Sequence, residues 1–332
     1  MLKYTEVSKA FGELVAVNKL NLNVEAGTIL GFLGPNGAGK TTTIKMSCGL
    51  VKPTYGDIEA FGISISKSRK KYIKNIGAVL EGNRNIYWRL TPIENMEYFA
   101  GLRGISRKKI REKMDEYLEI FNLKEKRNVE CGKLSRGMQQ KAAICCAMIH
   151  EPRILFLDEP TLGLDVESVD SMENIIKKII SKDRIIIITS HDLKFVSDLC
   201  NRITIIHKGV LVLDKDISFL ESYSDNITYI IETQVLQQEI KNDIHKNFPV
   251  YIEDNNNKTQ IRITLKEDNE ILEILNYLKE ISIKLFNIRK VNFELKDVFM
   301  DIIKGTMGNM QEAILIFKGE LKKCLYLKKD IY

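Results

Sequence analysis

Apolar residues run unbroken in three short stretches: Ile29-Leu30-Gly31-Phe32-Leu33, Ile154-Leu155-Phe156-Leu157 and Ile185-Ile186-Ile187-Ile188 within Arg184–Thr189. Such runs predict strands buried on both faces of a parallel sheet. Between the first two, residues 90 to 150 change to helical spacing, with Ile110, Met114, Tyr117, Leu118 and Phe121 falling on one face. The pattern shifts again after residue 220. Asn226–Thr233 predicts a strand, Leu236–Phe248 a helix and Val250-Tyr251-Ile252 a strand. Asp254-Asn255-Asn256-Asn257 predicts a turn before the alternating strand Gln260–Leu265. A helix over Glu270–Ile281 and a strand over Leu285–Phe293 complete a βαββαβ order, that of a small ferredoxin-like module.

The chain thus divides into residues 1 to about 215, 220 to about 304, and 306–332. The last block follows a glycine break at Met307-Gly308-Asn309 and places Ile314, Phe317, Leu321 and Leu325 at spacings of three and four. Lys322, Lys323, Lys328 and Lys329 flank them, giving a basic amphipathic helix.

At 332 residues, 44% hydrophobic and 28% charged, the composition is that of a water-soluble globular chain. No apolar stretch reaches membrane-spanning length, and Met1-Leu2-Lys3-Tyr4-Thr5-Glu6 has no signal core, so the chain is expected in the cytoplasm. The net charge of +6 is scattered and selects neither nucleic acid nor a membrane surface. Six cysteines form no CxxC pair, as expected of buried free thiols in a reducing compartment.

The chemistry begins at Gly34-Pro35-Asn36-Gly37-Ala38-Gly39-Lys40-Thr41, with Thr42 next, between a predicted strand and helix. This GxxxxGK[ST] pattern cradles phosphates: glycines let backbone N–H groups approach the oxygens, and the helix N-terminus adds partial positive charge. Lys40 supplies a cation to the β- and γ-phosphates, and Thr41 a hydroxyl to Mg²⁺. Asp158 and Glu159 end the Ile154–Leu157 run. A carboxylate at that edge suits the Mg²⁺ shell, and the next one along can orient or deprotonate a water.

A phosphate loop alone specifies an NTPase of some kind. Leu134-Ser135-Arg136-Gly137-Met138-Gln139-Gln140-Lys141 resembles the signature segment of ABC transporter ATP-binding cassettes, and other segments resemble further elements of that family in the same order. Leu162-Gly163-Leu164-Asp165 is similar to its D-loop, and Thr189-Ser190-His191-Asp192 to its switch region. Phe11 matches the aromatic that stacks on adenine.

The resemblance covers residues 1 to about 215. It implies an α/β P-loop NTPase fold with a parallel-sheet core, an N-terminal antiparallel β subdomain and a helical subdomain over about 88–150. It also implies ATP and Mg²⁺ as ligands, with Thr41, Asp158 and Glu81 around the metal. Ser135, Arg136, Gly137, Met138 and Asp165 would serve a nucleotide held by a second cassette, Glu159 would handle the water, and His191 would contact the γ-phosphate. The whole would drive separate membrane subunits from the cytoplasmic face of the membrane.

Two departures stand out. Ile76-Gly77-Ala78-Val79-Leu80 leads to Glu81 where the family usually carries Gln, and the signature has Arg136 and Met138 where Gly and Gln are commonest. The same signature pattern occurs in cassettes of ABC-2-type exporters, which makes export the expected direction and an ABC-2-type permease the expected partner. Tyr87-Trp88-Arg89-Leu90-Thr91 falls where the family faces its permease, and suits either a partner groove or packing onto the helical subdomain. The module after residue 220, with its closing Leu295-Lys296-Asp297-Val298-Phe299, resembles appendages of exporter cassettes, regulatory or dimer-supporting. The tail resembles the opening helix of an ABC-2-type permease, and equally fits a packed or membrane-surface helix. The alternative reading, a soluble ABC ATPase acting on ribosomes or nucleic acid, usually comes with two cassettes or a coiled-coil insert. Neither is present here, and no nucleic-acid partner is expected.

Overall fold

A computed structural model describes residues 1–82, 85–219, 227–255, 257–265, 267–291 and the single positions 295, 296, 299 and 303. The tail 306–332 and much of the 295–299 segment lie outside the described residues. Two compact units emerge, one over Met1–Ile217 and one over Ser218–Val298.

The first unit opens with β1 (Leu2–Phe11), β2 (Leu14–Val24) and β3 (Ile29–Leu33), followed by α1 (Lys40–Ser47). Then come β4 (Tyr55–Ala60), β5 (Ile63–Ser64), α2 (Ile65–Tyr72) and β6 (Ile76–Val79). Three longer helices follow: α3 (Pro92–Leu102), α4 (Arg107–Ile120) and α5 (Arg136–Met148). The unit closes with β7 (Ile154–Asp158), α6 (Val166–Ile179), β8 (Ile185–Thr189), α7 (Leu193–Leu199), β9 (Arg202–His207) and β10 (Val210–Asp216).

Six strands form one sheet in the order β10-β9-β3-β8-β7-β6, parallel throughout except for the antiparallel edge pair β10–β9. Every residue of β3, β7 and β8 is buried, which is why these segments carry no polar alternation. The second sheet, β2-β1-β4-β5, is antiparallel and lays Leu2, Tyr4, Val17, Leu20 and Ile58 into the same core as Leu30, Ile44 and Phe156.

The helices start where their caps dictate. Thr91 and Glu94 form a reciprocal capping box on α3, with Pro92 in its first turn, and the Ser135 side chain caps α5. The apolar face read from residues 110–121 is buried as a stripe, from Ile110 to Phe121. The described cysteines Cys48, Cys131, Cys145, Cys146 and Cys200 are free thiols, and burial pushes all of them up, Cys131 to about 11.

The second unit holds β11 (Ile227–Gln234), α8 (Gln238–Asn247), β12 (Val250–Asn255), β13 (Lys258–Leu265), α9 (Ile271–Glu280) and β14 (Leu285–Val291). Its sheet runs β12-β13-β11-β14, antiparallel throughout, and Ile231, Ile261 and Ile263 pack with Ile244, Ile274 and Leu278 of the helices.

Two boundaries differ from the sequence reading. Asp254 and Asn255 belong to the strand, paired with Thr259 and Lys258. Lys241 and the Thr259 hydroxyl hold the Asp254 carboxylate at 2.6 and 2.7 Å and so extend β12 into a polar run. Leu236 lies outside α8, its N–H donating to Thr259 Oγ1 at 2.9 Å.

Candidate active site

The loop after β3 is shaped by glycines in backbone conformations that strain a residue with a side chain. Gly37 has φ +78°. Gly39 has φ +108°, and a Cβ there would sit 2.5 Å from the Ala16 carbonyl oxygen. Lys40 opens α1 and is buried, 7% exposed, with Nζ donating to the Gly34 and Pro35 carbonyls at 2.5 and 3.2 Å. Burial lowers its pKa, against the opposing pull of Glu159, Asp158 and Glu81. The ammonium is held by loop carbonyls, with no carboxylate among the described residues in direct contact, and the three carboxylates act on it through their charge.

Asp158 is the last residue of β7 and Thr189 the last of β8, and the two pair across the sheet. Thr189 Oγ1 donates to Asp158 Oδ1 at 2.6 Å, while the buried Asp158 Oδ2 has no hydrogen-bond partner. The same hydroxyl accepts from the Glu159 N–H at 3.0 Å. One threonine therefore holds the Asp158 carboxylate and the Glu159 backbone together. Glu159 itself has φ +52°, a left-handed conformation uncommon for a residue with a side chain. Its Oε2 accepts from the His191 backbone N–H at 3.3 Å, and Oε1 lies 3.2 Å from His191 Nε2 without hydrogen-bond alignment. Burial raises the Glu159 pKa, resisted by His191 and Lys40.

A cleft of about 280 Å³ joins these groups. Pro35, Asn36, Gly37, Gly39, Lys40, Thr41 and Thr42 form one wall. Glu81, Asp158, Glu159 and His191, which end or follow β6, β7 and β8, form another, at the carboxyl ends of the parallel strands where α/β sheets bind ligands. Phe11, half exposed, stands at the mouth with the Lys9 ammonium 4.8 Å over its ring. Gly34 and Ala38 belong to the loop but not to the cleft lining.

Among the described residues no three His, Cys, Asp or Glu converge as a metal cage. The cleft instead offers two buried carboxylate oxygens without hydrogen-bond partners, Asp158 Oδ2 and Glu159 Oε1, together with the Glu81 carboxylate and the Thr41 hydroxyl. That donor set fits Mg²⁺, which shares its shell with phosphates and water.

Ser135, Arg136, Gly137, Met138 and Asp165 do not line this cleft. Ser135 Oγ accepts from the Met138 N–H at 3.3 Å, and Asp165 caps α6 by accepting from the Ser168 N–H at 2.8 Å; the Ser168 side chain and then this N–H lower the Asp165 pKa. Gly137 leaves 3.0 Å to Ser168 Oγ at its Cβ position, so α5 and α6 approach closely there. Arg136 lines a separate small cavity with Gly82, Trp88, Gln139, Leu162 and Leu164.

A family model described as ABC transporter matches residues 17–162, from β2 through the segment after Glu159. The bacitracin transport ATP-binding protein BcrA of Bacillus licheniformis is 41% identical over 213 residues, 64% of this chain and 68% of that protein. The ABC transporter ATP-binding protein NatA of Bacillus subtilis is 32% identical over 243 residues, 71% of this chain and 99% of that protein. This chain belongs to the ABC transporter ATP-binding proteins. It is the ATP-binding and ATP-hydrolysing subunit of such a transporter, and the cleft is part of its cassette.

The match to YhcH of Bacillus subtilis, 30% identical, spans 94% of this chain and 99% of that protein, and so reaches through the second unit as well. Among solved structures, the dimeric post-hydrolysis cassette MJ0796 bound to ADP and Pi superposes with a TM-score of 0.59 at 26% identity, covering 65% of this chain and 99% of that one.

The cassette also holds positions that sequence reasoning missed. Thr189 was legible only as part of the switch segment, not as the shared partner of Asp158 and Glu159, because that contact spans two strands. Asn85 closes the loop after β6, pairing with both the N–H and carbonyl of Leu80 at 3.2 and 2.7 Å, and so holds the chain around Glu81. Nothing near it in the sequence signals that role.

Proposed function

We propose that two cassettes face one another and enclose two ATP·Mg²⁺, each completing the other's site. Support comes from the single cleft that gathers Lys40, Asp158, Glu159 and His191 beneath a phosphate loop, while the signature donors stand elsewhere. In this reading Lys40 and the loop N–H groups hold the triphosphate, and Phe11 stacks on the base. Thr41, Asp158 and Glu81 hold Mg²⁺, which when bound neutralises charge on the transferring phosphoryl group.

Glu159 orients the attacking water and takes its proton, its carboxylate 3.2 Å from His191 Nε2. His191 sets the Glu159 carboxylate through its backbone N–H and places its ring at the γ-phosphate. Ser135, Arg136, Gly137 and Met138, at the start of α5, present hydroxyl and N–H donors to the partner's nucleotide, and Asp165 meets the partner across the interface.

The membrane partner is read as an ABC-2-type permease working in export. A groove of about 410 Å³ is lined by Leu50, Ile73, Leu80, Phe99, Leu102 and Arg103, and the half-exposed Tyr87 ring lies 6.3 Å from that of Phe99. This apolar patch suits a cytoplasmic helix of the permease and would hold the cassette at the inner face of the membrane. The second unit is read as regulatory or dimer-supporting.

Glu159→Gln tests the chemistry. Bound fluorescent ATP analogue should be unchanged, while turnover falls by about 10²-fold or more. Retained turnover removes Glu159 from its role.

A further inference from the structure

Asn95 is fully buried on α3, among the most enclosed polar side chains of the cassette. Its Oδ1 accepts from the Tyr87 N–H at 2.8 Å. Its Nδ2 lies 3.0 Å from the carbonyls of Tyr87 and Thr91, 3.3 Å from that of Leu90 and 3.4 Å from Cys131 Sγ. One amide thus grips both ends of the Tyr87–Thr91 loop and touches a residue 36 positions further along.

From there the contacts continue through backbone. The Cys131 N–H donates to the Leu90 carbonyl at 2.9 Å and the Gly132 N–H to the Trp88 carbonyl at 2.8 Å. Gln139 Nε2 then donates to the carbonyls of Cys131 and Leu134 at 3.0 and 3.1 Å, fixing the residues that lead into Ser135. At the outer end stand Tyr87 and Trp88, each 49% exposed, and at the inner end the Ser135 hydroxyl that caps α5.

An apolar residue would fill the space under α3 as well as Asn95 does, since Met96 and Ala100 beside it are equally buried. What an apolar side chain lacks is the means to hold loop carbonyls. A buried amide with every group occupied rigidifies what it binds, and removal of one partner leaves the rest costly.

We propose that Asn95 is a positioning residue that joins the Tyr87–Thr91 loop and the 131–134 segment into one unit, so that docking at the loop and placement of Ser135 are set together. This rests on the reading of Trp88 as a docking residue and Ser135 as a donor to the partner's nucleotide.

Coupling of this kind is demonstrated only by a cycle of variants. In the purified full-length chain, Asn95→Asp keeps the acceptor for Tyr87 and loses the donors, and Gln139→Leu cuts the inner arm. Each should lower kcat about tenfold while KM and the affinity for a fluorescent ATP analogue move less than about twofold. The double variant should fall no more than about threefold below the lower single one.

Losses that multiply, or an unchanged kcat in a natively melting Asn95→Asp, overturn the proposal. If Asn95→Asp does not fold, Asn95→Ser carries the same test. Trp88→Ala in the membrane-assembled transporter separates the two readings. Full ATPase stimulation by the assembled complex in that variant removes the docking reading and the docking half of the proposal, while the Asn95–Gln139 cycle still decides the Ser135 half. Lost stimulation together with multiplying losses overturns the Asn95 proposal alone.

Discussion

Glu159 is held in a left-handed conformation, enclosed, and paired only loosely with His191, and each of these has a measurable outcome. Burial raises its pKa, so folding favours the protonated carboxyl. The resulting penalty on stability is absent below the unfolded carboxylate's pKa, grows as pH rises toward the folded value, and is constant above it. Glu159→Gln should therefore melt higher than the wild type at neutral pH, with the gain vanishing in acid, as read by thermal denaturation across pH. For catalysis the sign is the same: the acid limb of the kcat–pH profile should lie above the ordinary carboxylate range. His191→Ala removes a neighbour that favours the ionised form, so the limb surviving in that variant should move further up. At this scale the sequence was legible for side chains with a signature of their own, such as Lys40 and Asp158. It did not mark the contacts of Thr189 with Asp158 or of Asn95 with Cys131, since these ordinary residue types reach partners 31 and 36 positions away.

The elements supply the rigidity those side chains need. Adjacent strands β7 and β8 end on Asp158 and Thr189, and one hydroxyl ties the two ends together. Thr189→Val, similar in shape, should cost about 1–3 kcal/mol because it leaves Asp158 Oδ1 without its donor; denaturant midpoints measure this. The phosphate loop is more demanding. Gly39→Ala places a Cβ against the Ala16 backbone in a left-handed conformation, so a loss of at least about 1–3 kcal/mol and loss of ATP binding are expected, the latter by titration with a fluorescent analogue. Fully buried strands announce themselves as unbroken apolar runs, and β3, β7 and β8 were read from them directly. Asp254 and Asn255 were read as a turn because their polarity is that of turn residues. The paired Lys241 and Thr259 that keep them in β12 come from other elements, and no local pattern records them.

At the scale of the whole molecule, the two units have separate cores, one built around the β3–β8 sheet and one around Ile231, Ile261 and Leu278. ATP at about a hundredfold excess over its Kd should raise the melting temperature of the Met1–Ile217 unit by roughly 5–10 °C, as read by calorimetry. Whether the helix-α5 donors or the phosphate loop dominates that shift depends on assembly, since Ser135 is absent from the wall of the cleft. Under the two-cassette reading this absence restrains fuel consumption. Dilute, unassembled copies stay idle, the total hydrolysis rate climbs with the square of protein concentration, and newly made subunits spend nothing until they are gathered side by side at a permease.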